Sequence, residues 1–295
     1  MEQQVIEEIL GKARKRFFVE AFERFKMNKL AYFFSFILGV FFIMAVIGPY
    51  ITPYDPYKID LANARKPPSP KHPLGTDELG RDILSRILVG ARYTLGISII
   101  SVAIGALIGV FLGLLAGFYR GLIDNVIMRI VDVMLAFPTI LLAIALATAL
   151  GQGYVSLILS ISITTFPVYT RLTRNVTLQV VEEDYIAASR LLGERSIHIM
   201  FRHILPNIVS VIIVQATYYA GLAVLLVSSL GFLGLGIKPP TPEWGSMISS
   251  GRNYLFNAPH IALIPGIFIS LTVLSFNLVG DGLRDALDPR SKKTL

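Results

Sequence analysis

Glu182-Glu183-Asp184-Tyr185-Ile186-Ala187-Ala188-Ser189-Arg190-Leu191-Leu192-Gly193 runs on through Arg195 and Arg202 to Ile204-Leu205-Pro206-Asn207. This polar stretch lies between two long apolar runs. Its spacing predicts two short amphipathic helices, broken at Gly193 and closed at Pro206. Such a segment cannot cross a bilayer. It must lie on one face, where a soluble partner can grip it.

The residue types support that reading. Glu182, Glu183 and Asp184 put negative charge at a helix N-terminus, where the macrodipole favours it, and Asp184 is the expected cap. Ala187, Ala188 and Ser189 leave one surface with small side chains that lets another protein approach the backbone. Gly193 suits the left-handed position after a helix. Ser196 is expected to cap the second helix, with Ile197, Met200, Phe201 and Ile204 as its apolar stripe, and Pro206 to end it. Composition alone leaves a second reading open, an amphipathic helix lying on lipid headgroups.

The rest of the chain explains why a bilayer is invoked. Of 295 residues, 54% are hydrophobic and 16% charged, with mean hydropathy +0.63. Soluble domains carry roughly 25% charged residues. The net charge of +7 does not point to nucleic acid, because the cations flank apolar runs and form no aromatic-interleaved patch. There is no cysteine, which excludes disulfides, thiolate catalysis and Cys-based metal sites.

A membrane-spanning helix needs about 20 apolar residues. Stretches of that kind fall near Leu30–Ile51, Ala91–Phe118, Val126–Leu150, Tyr154–Leu172, Asn207–Gly231 and Ile261–Gly280. The expected fold is therefore an all-α integral membrane protein with six transmembrane helices and a cytoplasmic loop between the fourth and fifth. Charged residues ahead of the first span, among them Lys12, Arg14, Lys15, Arg16, Arg24, Lys26 and Lys29, argue against a cleaved signal peptide and hold that end in the cytoplasm. Six crossings return Arg284, Arg290, Lys292 and Lys293 to the same side, so both termini are expected to be cytoplasmic. The loop over 52–90 faces outward despite Lys58, Arg65, Lys66, Lys71, Arg81 and Arg86, because five nearby carboxylates offset most of that charge. Its prolines forbid one continuous helix. Thr76 is expected to cap a short helix lying along the outer surface, with Leu79, Ile83, Ile87 and Leu88 on one side. The division that follows is 1–90 for the tail, first span and outer loop, 91–283 for the transmembrane body, and 284–295 for a cytoplasmic tail.

Within the spans, Ser101, Gly105, Gly109, Gly113 and Gly117 recur every four residues, a slowly winding stripe that permits close helix approach. Arg129 and Asp132 are placed to bridge at i,i+3. Phe137-Pro138 predicts a local kink, and Pro167 a loosened last turn. Asn277 and Asp281 read as a solvated helix end. Ser160, Ser162, Thr164, Thr165 and Gln215 are the polar residues offered for a solute path. Gly231-Phe232-Leu233-Gly234-Leu235-Gly236-Ile237-Lys238 is not a P-loop, since its lysine comes one place late and proline follows. The histidines 72, 198, 203 and 260 offer no i,i+4 metal pair, and no G-x-S-x-G occurs. Neither an enzyme nor a metal site is expected.

Ala187-Ala188-Ser189, Gly193 and Leu205-Pro206 together resemble the EAA loop of the inner-membrane permeases of binding-protein-dependent ABC importers. His72-Pro73-Leu74-Gly75-Thr76-Asp77-Glu78-Leu79-Gly80-Arg81-Asp82 resembles the outer loop of the C-type permease of the dipeptide and oligopeptide (nickel) subfamily. So do Phe232-Leu233-Gly234-Leu235-Gly236, Pro239-Pro240-Thr241-Pro242-Glu243-Trp244-Gly245, and the run from Asn277 to Arg290. The chain departs from the general motif at Ala187, where glutamate stands, and at His203.

The resemblance implies a pore subunit in the inner membrane, paired with a second, B-type permease. Two cytoplasmic ATPase subunits would bind ATP and Mg, this chain binding no cofactor, and an extracytoplasmic binding protein would deliver the solute. Glu183, Asp184, Ala187, Ala188, Ser189, Gly193, Leu205 and Pro206 would form a coupling helix docked on an ATPase. The expected cargo is a di- or oligopeptide; oligosaccharides or nickel chelates are the alternatives within the same complex type. A self-sufficient secondary transporter is the other class. It calls for ionisable groups at mid-membrane, whereas those here sit near span ends.

Overall fold

The structure, a computed structural model, describes residues 20–287. Of the N-terminal cations named above, Lys12, Arg14, Lys15 and Arg16 lie outside it, as do Arg290, Lys292 and Lys293. Among the described residues there is no strand, only one bridge between Thr76 and Asp82. The long helices are α1 (Lys29–Ile47), α2 (Ile83–Tyr119), the pair α3 (Gly121–Leu135) and α4 (Thr139–Leu150), α5 (Tyr154–Val180), then after the short α6 (Asp184–Leu191) α7 (Ser196–Phe232), and finally α9 (His260–Leu287) beyond the short α8 (Trp244–Gly251).

Five of these helices, α1 with its terminal turn, α2, α5, α7 and α9, are each long and apolar enough to cross a membrane, and the bent α3–α4 pair counts as a sixth if taken as one broken span. The third span is therefore corrected. At Phe137-Pro138 the chain turns by 92°, far more than a kink. The residue before proline is pushed out of the helical region, and Pro138 caps α4 with extended backbone. The charges on α3 explain its separate course. Asp124 accepts two 2.5 Å bonds from the Arg174 guanidinium, and Asp132 accepts one of 2.5 Å from Arg171, both arginines on α5. Asp132 thus reaches across to another helix instead of bridging to Arg129. Asp281 is exposed at its helix end, as expected, and there accepts from the Tyr218 hydroxyl.

Helix α2 has 37 residues, about 55 Å at 1.5 Å per residue, against about 30 Å of hydrocarbon. It absorbs the surface helix expected after Thr76. Thr76 is committed elsewhere: its hydroxyl donates to the Asn63 carbonyl at 2.5 Å and accepts from the Lys66 N–H at 2.9 Å. Asp82 caps instead, accepting from the Ser85 N–H at 2.8 Å, and Ile83 and Ile87 are already in the core. Pro167 does not loosen α5, which runs on to Val180. Packing along α2 supports it, as neighbours do for prolines in membrane helices. Pro206 does not close a helix either. A π-helical segment, Ile199–Ile204, carries the chain into the following α-helix, with Pro206 in the first turn after the register change.

The α2–α5 contact is the tightest in the bundle. Gly105, Gly109, Gly113 and Gly117 are all buried against α5. A Cβ at Gly109 would lie 2.5 Å from the Phe166 carbonyl oxygen, and one at Gly113 2.6 Å from that of Thr170. At the other end of α2, residues 52–82 fold over the bundle as a cap. Arg81 and Arg86 converge on Asp77 at 2.7 and 3.3 Å, and His72 meets Asp82 at 2.9 Å. Trp244 is fully buried beneath, its indole N–H donating to the Ile87 carbonyl at 3.2 Å.

Glu243 caps α8 from a site closed to solvent, accepting from the Gly245 and Ser246 N–H groups at 2.8 Å each. Burial pushes its carboxyl up from 4.5 to about 7, against the lowering pull of those donors and of Thr94. The folded chain then holds this proton more tightly than the unfolded chain. Glu243 therefore favours the fold most at about pH 4.5 and below, loses that contribution as pH rises to about 7, and changes nothing above. The total is on the order of 3 kcal/mol. Thermal unfolding of the purified chain at pH 5 and pH 8 is expected to show a smaller difference in Glu243→Gln than in wild type.

Candidate functional site: the elbow between α5 and α7

The chain leaves α5 at Val181 and re-enters the bundle at Ser196. Between them lies an eight-residue helix followed by a tight reversal. The reversal has the geometry of a Schellman motif. Gly193 sits at φ +76°, its N–H donates to the Arg190 carbonyl at 3.0 Å, and the Glu194 N–H donates to that of Ser189 at 3.1 Å. Glu183, not Asp184, occupies the N-cap position, with its carbonyl accepting from Ile186 and Ala187. Asp184 is the first helical residue and Arg190 lies in the last turn, so both charges complement the helix dipole. Arg195, not Ser196, precedes the second helix.

The elbow is tied to the bundle at a few defined points. Ile186 is fully buried among Leu114, Phe118, Ile199, Met200, Ile204 and Ile208. The Arg190 guanidinium lies 4.8 Å from the Phe118 ring centre, and Arg120 pairs with Glu182. The Tyr185 hydroxyl accepts from the Asn207 amide at 2.8 Å. Burial, aided by the Glu183 charge, pushes the Tyr185 phenol up, so it stays protonated. Glu194 meets His198 at 3.2 Å and His203 at 2.9 Å, joining the reversal to the π-helical segment.

The side left open carries Ala187 and Ala188, both exposed, and the pair Leu191 and Leu192, at 89% and 87% exposure. Of the other residues singled out from the sequence, Glu183 and Asp184 are exposed at the entrance, Ser189 is half-buried with its hydroxyl on the Tyr185 carbonyl, and Leu205 and Pro206 are half-buried beyond the turn. The sequence reading missed Ile186, Leu191 and Leu192. Two leucines directly before a turn glycine in a polar stretch were the available signal.

Of the residues offered for a solute path, Ser160, Ser162, Thr164 and Thr165 are buried within this chain. Ser162 donates to the carbonyls of Ile158 and Ser101 at 2.7 and 3.0 Å, while Thr164 and Thr165 bond back to their own helix. Small hydroxyl residues were needed there to match the glycine stripe. Gln215 alone is partly exposed, on α7. Among the described residues no group of three His, Asp or Glu is placed to hold a metal ion.

Residues 109–293 match the family described as binding-protein-dependent transport system inner membrane component. Residues 16–68 match the N-terminal TM domain of oligopeptide transport permease C. The chain is 45% identical over 274 residues to the glutathione transport system permease protein GsiD of Escherichia coli O6:K15:H31 (strain 536 / UPEC) and to that of Shigella boydii serotype 4 (strain Sb227), covering 92% of this chain and 90% of each relative. A structure of the MetNI methionine ABC transporter in inward facing conformations shares the fold, with a TM-score of 0.54 and 20% identity over 67% of this chain and 94% of that one.

Proposed function

The chain belongs to the family of binding-protein-dependent transport system inner membrane components, the membrane-spanning permeases of ABC importers, and on that footing we propose that its elbow is the lever on which a soluble ATPase subunit pulls. The observation that carries this reading is the contrast within the elbow. Buried Ile186, the Glu194 clamp and the Tyr185–Asn207 bond fix it to the bundle, while its open surface presents two bare leucines. A lever must be stiff where it joins the gate and adhesive where it is gripped. Glu183, Asp184, Ala187, Ala188, Ser189, Gly193, Leu205 and Pro206 supply the charge, close approach and shape of that contact. Leu191 and Leu192 supply apolar anchors.

The helices alternate so that the elbow shares one end of the bundle with residues 20 and 287, opposite the cap. The basic flanks support a cytoplasmic position for that end. Residues 91–283 form the moving body, residues 1–90 its peripheral span and cap, and residues 284–295 a cytoplasmic tail. A second, B-type permease completes the pore in the inner membrane, and two ATPase subunits hold ATP and Mg and do the hydrolysis. This chain binds no cofactor and catalyses nothing. A binding protein meets the cap from outside. Closure of the ATPases drives the elbows and tips the pore, a rigid-body form of alternating access. The relatives named for glutathione transport, together with the oligopeptide-type N-terminal match, support a short peptide as cargo.

The test is Leu191→Asp with Leu192→Asp. Both side chains are exposed, so the thermal midpoint of the isolated chain is expected to stay within a degree or two. Burying a leucine gains about 1.5–3 kcal/mol, so losing two anchors is expected to weaken ATPase association at least ~100-fold in pull-down titrations. Wild-type association and uptake in the double variant would overturn the docking assignment. Uptake by proteoliposomes lacking any ATPase subunit would overturn the importer mechanism itself.

A further inference from the structure

A cleft of about 330 Å³ opens between the cap ends of α1 and α2, away from the elbow. Its walls are apolar: Phe42 and Val46 on α1, Leu95, Gly96 and Ile99 on α2. Tyr50 and Arg92 stand at its mouth. Arg92 and Ile99 are seven residues apart, so the cleft descends about 10 Å along the helix axis. That is about a third of the hydrocarbon thickness. Its apolar walls offer water few hydrogen-bonding partners.

We propose that this cleft binds one phospholipid with an anionic headgroup, the phosphate on Arg92 and Tyr50 and the upper acyl chain against Phe42, Val46, Leu95 and Ile99. The charge is the first argument. Among the described residues no carboxylate pairs with Arg92, although Arg86, six residues earlier on the same helix, is paired to Asp77 at 3.3 Å and bonded to the Pro56 carbonyl. A guanidinium at a membrane interface carries several donors in a planar fork that matches a phosphate. The surroundings are the second argument. Along α1 the flank beside the cleft is open, with Phe36, Ile43 and Val46 at 69%, 58% and 68% exposure. That flank leaves the cleft open for a lipid of the surrounding bilayer to enter. The third is Tyr50, 79% exposed at the end of the span, where tyrosines sit at headgroup level. The leaflet concerned is the one on the side of the 52–82 cap.

Native mass spectrometry of the full chain tests this. The chain is incubated in mild detergent with phosphatidylglycerol and phosphatidylethanolamine of identical acyl composition. Wild type is expected to retain the anionic lipid about tenfold over the zwitterionic one. Arg92→Gln is expected to erase that preference and Arg92→Lys to keep part of it, while Val46→Trp, which fills the cleft, lowers retention of both lipids. Arg92 makes no hydrogen bond or ion pair among the described residues, so its variants are expected to unfold at the wild-type temperature. Equal retention of the two lipids by wild type, or an unchanged preference in Arg92→Gln, overturns the proposal. A photocrosslinker at residue 46 in native membranes is expected to give a lipid-sized adduct. A protein-sized adduct would mean that another chain fills the cleft, and would overturn the assignment of a lipid.

Discussion

Replacing Gly109 with leucine is expected to abolish accumulation of folded chain. The Cβ alone would sit 2.5 Å from the Phe166 carbonyl oxygen and the Tyr169 Cβ, and 3.0 Å from the Thr170 amide nitrogen. Two of those three are backbone atoms of α5, and neither can rotate away. Relief therefore requires separating α2 from α5 along their shared length. Overpacking a core by single methylenes costs about 1–3 kcal/mol. Leucine brings four heavy atoms to a site with no room for one, so the cost is comparable with the roughly 5–15 kcal/mol that holds a typical domain together. Gly39→Leu is the matched control, because nothing lies within 4 Å of that position. Fluorescence-detected size exclusion of tagged variants reads the outcome: a sharp peak for Gly39→Leu, and aggregate or no peak for Gly109→Leu. A wild-type profile for Gly109→Leu would mean that the stripe does not carry the α2–α5 contact.

Gly193→Pro acts at the other extreme, on a residue with no neighbours. A Cβ there meets nothing within 4 Å, so sterics with the bundle play no part. The damage is to the backbone. Proline holds φ near −65°, whereas the reversal needs +76° at this residue. Proline also removes the N–H that donates to the Arg190 carbonyl. An eight-residue helix is too short to persist without its ends fixed, so the elbow loses its shape while the spans remain. Solute-stimulated ATP hydrolysis by the reconstituted complex is expected to fall at least ~10-fold, with normal membrane insertion of the chain. Gly193→Ala carries about 1–2 kcal/mol of left-handed strain and is expected to fall between, and Gly193→Asn to stay near wild type. Full coupling in Gly193→Pro would show that force does not pass through this turn.

These two glycines mark what could and could not be read in advance. The four-residue repeat from Gly105 to Gly117 announced a close helix contact, because small side chains at that interval line one face of any helix. It did not say that α5 would be the partner. Nor did it say that Ser162 and Thr165, read as polar residues for a solute path, would be the small side chains facing the stripe. Gly193 was legible as a turn because its neighbours switch there from apolar-periodic to charged. Ile186 was not legible as an anchor. One isoleucine in a polar segment looks the same whether it enters a core or meets solvent. Thr76, Pro167 and Pro206 misled because each is a single-residue signal, overruled by bonds to the preceding loop at Thr76, by packing on α2 at Pro167 and by the π-helical segment before Pro206.

Composition and apolar run length determined, without coordinates, that this chain spans a membrane with helices and leaves one polar elbow outside. Both follow from the cost of exposing backbone groups to hydrocarbon, which depends on local sequence alone. Tertiary structure alone decided that the third span bends by 92° at Pro138, that the helix after Gly193 passes through a π-helical segment without stopping at Pro206, and which elbow side chains remain bare. Those outcomes depend on which surfaces meet. A pattern along one chain specifies the faces of a helix, but not the neighbour that each face will find.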